Sequence, residues 1–249
     1  MSTGVHGLEQ DLRTIFGPRL QSLVTYGERT RAVRHSHDDQ HRSRKKKSAV
    51  DLPGVQTLAI VETLTGKDLR ACAGRVAAWR DAGLATPLIL AANEFERSLD
   101  AFPLEFGAIL ADHAVIAGVN PFERLTVNAA DVRRAVEVQA RSHLLHLREG
   151  YLETLGRADA LAVLLVRSAP AFAALMTSVA RLEGRDTHDP VVAAHHAEHL
   201  LGIDRGIVTE IVDLAGVQKI PSAKADDLFP LYLDDVQRLV QYVDRWSAR

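Results

Sequence analysis

The spacing of apolar positions divides the chain into two stretches with different periods. Residues 5 to 16, VHGLEQDLRTIF, place Val5, Leu8, Leu12, Ile15 and Phe16 at helical intervals, and Gly17-Pro18 ends that helix. LQSLVTY, residues 20 to 26, then reads as a short strand running into Gly27. After a long polar stretch, VQTLAIVETL is the clearest strand pattern in the chain. Thr65, with Asp68 three residues on, predicts a capped helix that continues through Trp79 and Arg80 to Gly83 at its C′ position. TPLILAA predicts a third strand, and Asn93 is the expected cap of a short helix, EFERSL. FPLEFGAIL and AVIAG read as two extended segments around Ala111-Asp112-His113, either a hairpin or a strand with its edge partner.

From Asn128 the strand pattern stops. Asn128 is the expected cap of a helix through AADVRRAVEVQARSHLLHLREGYLETL, and further helices are predicted over about 158–183, 190–201, 204–215 and 224–247. Gly156, Gly184, Pro190, Gly202 and Pro221 supply the breaks. The last helix carries Leu231, Leu233, Val236, Leu239, Val240 and Val243 as its apolar stripe. The sequence therefore reads as α+β: a mixed sheet with flanking helices over residues 1–125, including a basic loop 28–53, then a helical bundle over 126–249.

Composition narrows the function classes. Across 249 residues, 47% are hydrophobic and only 5% aromatic, so Leu, Val, Ile and Ala must build the core. A net charge of −2 argues against a protein that coats nucleic acid. The charge is uneven, because residues 29 to 47 hold eight Arg or Lys against Asp38 and Asp39. Cys72 is the single cysteine, which excludes an internal disulfide and suits a reducing cytoplasm. No apolar run reads as a membrane span and no cationic-apolar leader opens the chain, so the expectation is a soluble, cytoplasmic protein without a membrane partner.

The order helix, strand ending in Tyr-Gly, loop, apolar strand resembles the opening of the polymerase-beta-like nucleotidyltransferase superfamily. FGPRLQSLVTYGERTR resembles that family's first motif, and the stretch from LDAFPLEFGAIL to NPFERLTVN, followed by a long helix, looks like bacterial nucleotidyltransferase-like proteins with a helical C-terminal half. In active members, the resemblance implies, backbone N–H groups after the glycine approach the nucleotide phosphates. Two carboxylates at i and i+2 on the next strand then share one face and hold Mg²⁺. Aligned on that pattern, Gly54 and Gln56 stand where the acids belong, and Glu28 stands where a small hydroxyl residue is expected. Glycine offers no ligand, glutamine offers one neutral oxygen, and Glu28 adds like charge beside the phosphates.

The resemblance thus implies a vestigial nucleotide site at Gly27, Glu28, Arg29, Gly54 and Gln56, with no cofactor expected. Glu105 is the one candidate catalytic acid, placed on a neighbouring strand. Asp51, or the Asp38-Asp39 pair, is the alternative acid set if the register slips. Asp51-Leu52-Pro53 breaks before the strand, however, and adjacent aspartates point to opposite faces. The implied function is a catalytically degenerate module that binds a nucleotide or a partner protein. The alternative is an active Mg²⁺-dependent nucleotidyltransferase, using Glu28, Glu105 and Asp51, that moves a nucleoside monophosphate onto a hydroxyl or a protein acceptor.

Four other constellations carry weaker chemistry. Arg42, Arg44, Lys45, Lys46 and Lys47 suit sequence-independent phosphate contacts, without interleaved aromatics for base stacking. His35, His37, Asp38, Asp39 and His41 have ligand chemistry, but cationic flanks repel a metal, and a solvated loop is the plainer reading. His195 and His199 lie four apart in VVAAHHAEHL, although the order departs from His-Glu-x-x-His, and a bundle helix is the plainer reading. Arg141 and His146 have the Arg-x4-His spacing found in RNA-acting helical domains of the HEPN class.

Overall fold

The computed structural model describes residues 3–27, 54–185, 187, 189–203 and 206–247. It divides into two compact units, Met1–Val127 and Asn128–Arg249. The basic loop lies outside the described residues. So do Glu28, Arg29, Asp38, Asp39, Asp51 and the histidines and basic residues between them.

The first unit is built on a four-stranded mixed sheet. Helix α1 (Thr3–Phe16) passes through a short 3-10 turn at Gly17–Arg19 into β1 (Leu20–Tyr26). Strand β2 (Gln56–Val61) pairs antiparallel with β1, with Val24 opposite Leu58 and Tyr26 opposite Gln56. Two helices, α2 (Gly66–Ala73) and α3 (Val76–Asp81), carry the chain back to β3 (Leu88–Ala91), which runs parallel to β2. Then α4 (Ala92–Ala101) and α5 (Pro103–Ala111) precede β4 (His113–Gly118), which adds antiparallel to the free edge of β1. The strand order is β3-β2-β1-β4.

Alternation along the central strands explains the layers. Leu23, Ala59 and Val61 face α1, α2 and α3 through Leu8, Leu12, Phe16, Cys72 and Trp79. Val24, Leu58 and Ile60 face the other way, onto Phe95, Phe106, Ile109 and Phe122. Helices cover both faces of β2, so Leu58, Ala59, Ile60 and Val61 form an unbroken apolar run rather than an alternating one.

The entry to α2 is fixed by charge as well as by capping. Thr65 and Asp68 form the reciprocal capping box, and Arg19 adds two hydrogen bonds to the Asp68 carboxylate at 2.8 and 3.0 Å. The Arg19 guanidinium, with help from Thr65, holds the Asp68 carboxyl far below the usual carboxylate range.

Three elements differ from the sequence reading. FPLEFGAIL is helix α5, not a strand: Pro103 sits at its start, and Pro103, Phe106, Gly107 and Ile109 are buried at helical spacing. A nine-residue apolar run carries too little periodicity to choose between the two forms. Asn93 is not the cap of α4. Strand β3 runs straight into the helix, so Ala91 takes the cap position and its N–H donates to Glu94 at 2.9 Å. The helix after Thr65 is two helices, interrupted at Gly74 and Arg75.

The second unit is all helix among its described residues: α6 (Ala129–Glu153), α7 (Ala158–Leu182), α8 (Pro190–Leu201), α9 (Ile207–Asp213) and α10 (Ser222–Arg245). Helix α7 is the central one and packs against the other four. By length and composition it is apolar enough to cross a membrane, with a mean hydropathy of 1.8 over its best window, which amends the expectation that no such run exists. Here Leu165, Ala169, Phe172, Leu175 and Met176 are buried within the bundle.

A polar contact sits inside this core. Tyr232, fully buried on α10, meets Nε2 of His143 on α6 at 2.6 Å, and both rings pack on Phe172. Burial, and secondarily His146, pushes the His143 imidazole down to about 4, and burial drives the Tyr232 phenol well up.

Candidate functional site

The relevant end of the first unit is where β1 stops, β2 starts and β4 enters. Tyr26 is paired with Gln56 on one side and His113 on the other. Gly27 follows with φ +87°, a left-handed conformation that favours glycine. Its N–H donates to the Asp112 carbonyl at 3.2 Å, so this amide is already engaged within the protein. The Gln56 side chain is exposed and lies beside the turn. A Cβ added at Gly27 would stand 3.5 Å from Gln56 Oε1.

Gly54 lies just before β2 and is held for a steric reason. A Cβ there would come within 2.4 Å of the Ala85 nitrogen and 2.5 Å of the Leu84 carbonyl carbon. The flanking bonds pin both backbones, Val55 N–H to Gly83 O and Ala85 N–H to Val55 O, each at 2.9 Å. A side chain at position 54 therefore requires a backbone shift. Glu105 lies exposed in the first turn of α5, not on a strand beside β2, because FPLEFGAIL is helical.

Sequence reasoning passed over Asp112 and His113 at this end. Asp112 is nearly fully buried, and His113 Nδ1 lies 3.1 Å from the carbonyls of Ile109 and Leu110 while Nε2 reaches Asn120 Oδ1 at 3.2 Å. Their signal was the assignment of α5: once that segment is a helix, the residues closing it must open the strand beside Gly27. Burial raises the Tyr26 phenol above its ordinary range.

The remaining candidates take part in local contacts. Both Glu198 oxygens are taken by Thr209, through its N–H at 3.0 Å and its hydroxyl at 3.1 Å, which ties α8 to the first turn of α9. Among the described residues, no group of three or more His, Cys, Asp or Glu side chains is placed to hold a metal ion. Arg141 is held by Glu137 and Asp244 at 3.0 and 2.7 Å, and His146 Nδ1 lies 3.3 Å from the Ser142 hydroxyl. Cys72 is buried, and burial pushes its thiol up, away from nucleophilic use.

No protein-family model matches the chain, and no curated protein matches it. Among solved structures it is similar to a spectinomycin adenyltransferase from Enterococcus faecialis, solved with ATP and spectinomycin. The two are 11% identical with a TM-score of 0.51, over 94% of this chain and 98% of that one. At that identity the likeness defines the fold alone: this is a nucleotidyltransferase-like fold with a helical C-terminal half.

Proposed function

We propose that this chain is a nucleotidyltransferase-like binding module that keeps the superfamily's glycine turn without a metal-holding pair of acids. It engages a nucleotide or a partner protein and does not transfer a nucleotidyl group. The observation that carries this reading is Gly54: a carboxylate at that position would have to displace the Leu84–Ala85 backbone. Gln56, the second aligned position, supplies a neutral amide. Magnesium is a hard ion that takes carboxylate and phosphate oxygens, and one amide oxygen is a poor substitute for two charged ligands.

The similar structure holds ATP and spectinomycin, which sets the probes. The test incubates the whole chain with each α-labelled nucleoside triphosphate and Mg²⁺, once with spectinomycin and once without an added acceptor. The expected result is no label on acceptor or protein above the protein-free blank. Mg²⁺-dependent labelling of either would replace this reading with that of an active nucleotidyltransferase.

A further inference from the structure

The helical unit holds a cavity of about 970 Å³ where the C-terminal ends of α7, α8 and α10 meet the start of α6. That is near the upper end of the roughly 300–1,000 Å³ typical of small-molecule sites. Leu182, Leu200 and Leu201 give it an apolar wall, and Tyr242 and Trp246, both partly buried, add two aromatic rings. Its charged groups are Arg238, Arg245 and Glu183.

The partners of those charges decide what the cavity attracts. Glu183 already accepts the Tyr242 hydroxyl, and Arg238 is paired with Asp234 at 3.1 Å. Arg245 is exposed and has no hydrogen bond or ion pair among the described residues. Gln241 and the Trp246 indole N–H are likewise without partners among them. Helix C-termini favour cations, but here their last carbonyls are partly occupied. The N–H groups of Glu183, Gly184 and Arg185 cap α7, those of Gly202 and Ile203 cap α8, and that of Trp246 caps α10. Ala129, at the N-terminus of the 25-residue α6, brings the opposite end of a helix dipole into the wall.

We infer that this cavity is a binding site for a flat aromatic molecule carrying one anionic group, either a phosphate ester or a carboxylate. The ring stacks on Trp246 or Tyr242, the anion pairs with Arg245, and Gln241 offers a donor and an acceptor to the ring's polar edge. The inference is independent of the reading of the first unit, since every lining residue belongs to the second.

The test titrates the whole chain calorimetrically, without metal, with adenosine monophosphate, adenosine, indole-3-acetate and benzamidine. Either anion should bind at least about tenfold more tightly than adenosine or the benzamidine cation, a gap that corresponds to one decade in Kd. Which anion binds better separates the phosphate source from the carboxylate source. Arg245→Ala, on an exposed position where folding is checked by circular dichroism, should lose that gap, and Arg70→Ala, on an exposed position of the first unit, should keep it. Equal binding by Arg245→Ala and the wild-type chain would overturn the site. So would a preference for benzamidine, or no binding of either anion at millimolar concentration.

Discussion

On acidification from pH 7.5 to pH 4, the chain should lose about 3 kcal/mol of stability through His143 alone. The imidazole is buried, and its folded value lies near 4 against about 6.5 in the unfolded chain. Above 6.5 both states are neutral there, and the group contributes nothing to the pH dependence. Between 6.5 and 4 the unfolded chain takes up a proton that the folded chain refuses, so stability falls with pH across that window, at about 1.4 kcal/mol per unit. Urea unfolding of the wild-type chain and of His143→Gln measures this. The gap between them should shift by about 3 kcal/mol in favour of the variant as pH falls from 7.5 to 4; parallel pH profiles would show that the imidazole is not sequestered. The neighbouring ring is as consequential. Tyr232→Ala opens a cavity beside Phe172 and leaves His143 without its partner, for an expected loss of about 3–5 kcal/mol.

The second large effect is expected at Gly54. Gly54→Asp should cost at least about 2 kcal/mol, since its Cβ meets main chain rather than a yielding side chain. Gln56→Asp, two residues on and exposed, should stay within about 0.5 kcal/mol of wild type. Chemical denaturation of the two single variants makes the comparison. Equal stability would mean that position 54 tolerates a side chain after all, and with it a metal ligand. On the present geometry, an acid at position 56 faces solvent, whereas one at position 54 requires the Leu84–Ala85 backbone to move.

The elements with strong periodicity were legible in the sequence. Helix α1, the bundle helices and the three strands at LQSLVTY, VQTLAIVETL and AVIAG follow from side-chain spacing, because one face or both faces must be apolar. The capping box at Thr65 was legible for a local reason, since both of its hydrogen bonds lie within four residues. Helix α5 was not, because apolar residues surround it on nearly all sides and the helical period is masked. That single misassignment moved Glu105 onto a strand and hid Asp112 and His113 beside Gly27. The meaning of Gly54 was also hidden. A glycine kept for close approach to a distant backbone looks, in sequence, the same as one left behind by a lost aspartate.

We propose that the described residues at the end of the sheet beside Gly27 do not gather enough carboxylate to hold Mg²⁺ on a nucleotide. Calorimetric titration of the whole chain with ATP, once with Mg²⁺ and once with a chelator, tests it directly. The account predicts that any affinity is the same in both, within about twofold, because phosphate contacts alone do not need the ion. Binding about tenfold or more tighter with Mg²⁺ would contradict it and point to carboxylates acting together at that turn.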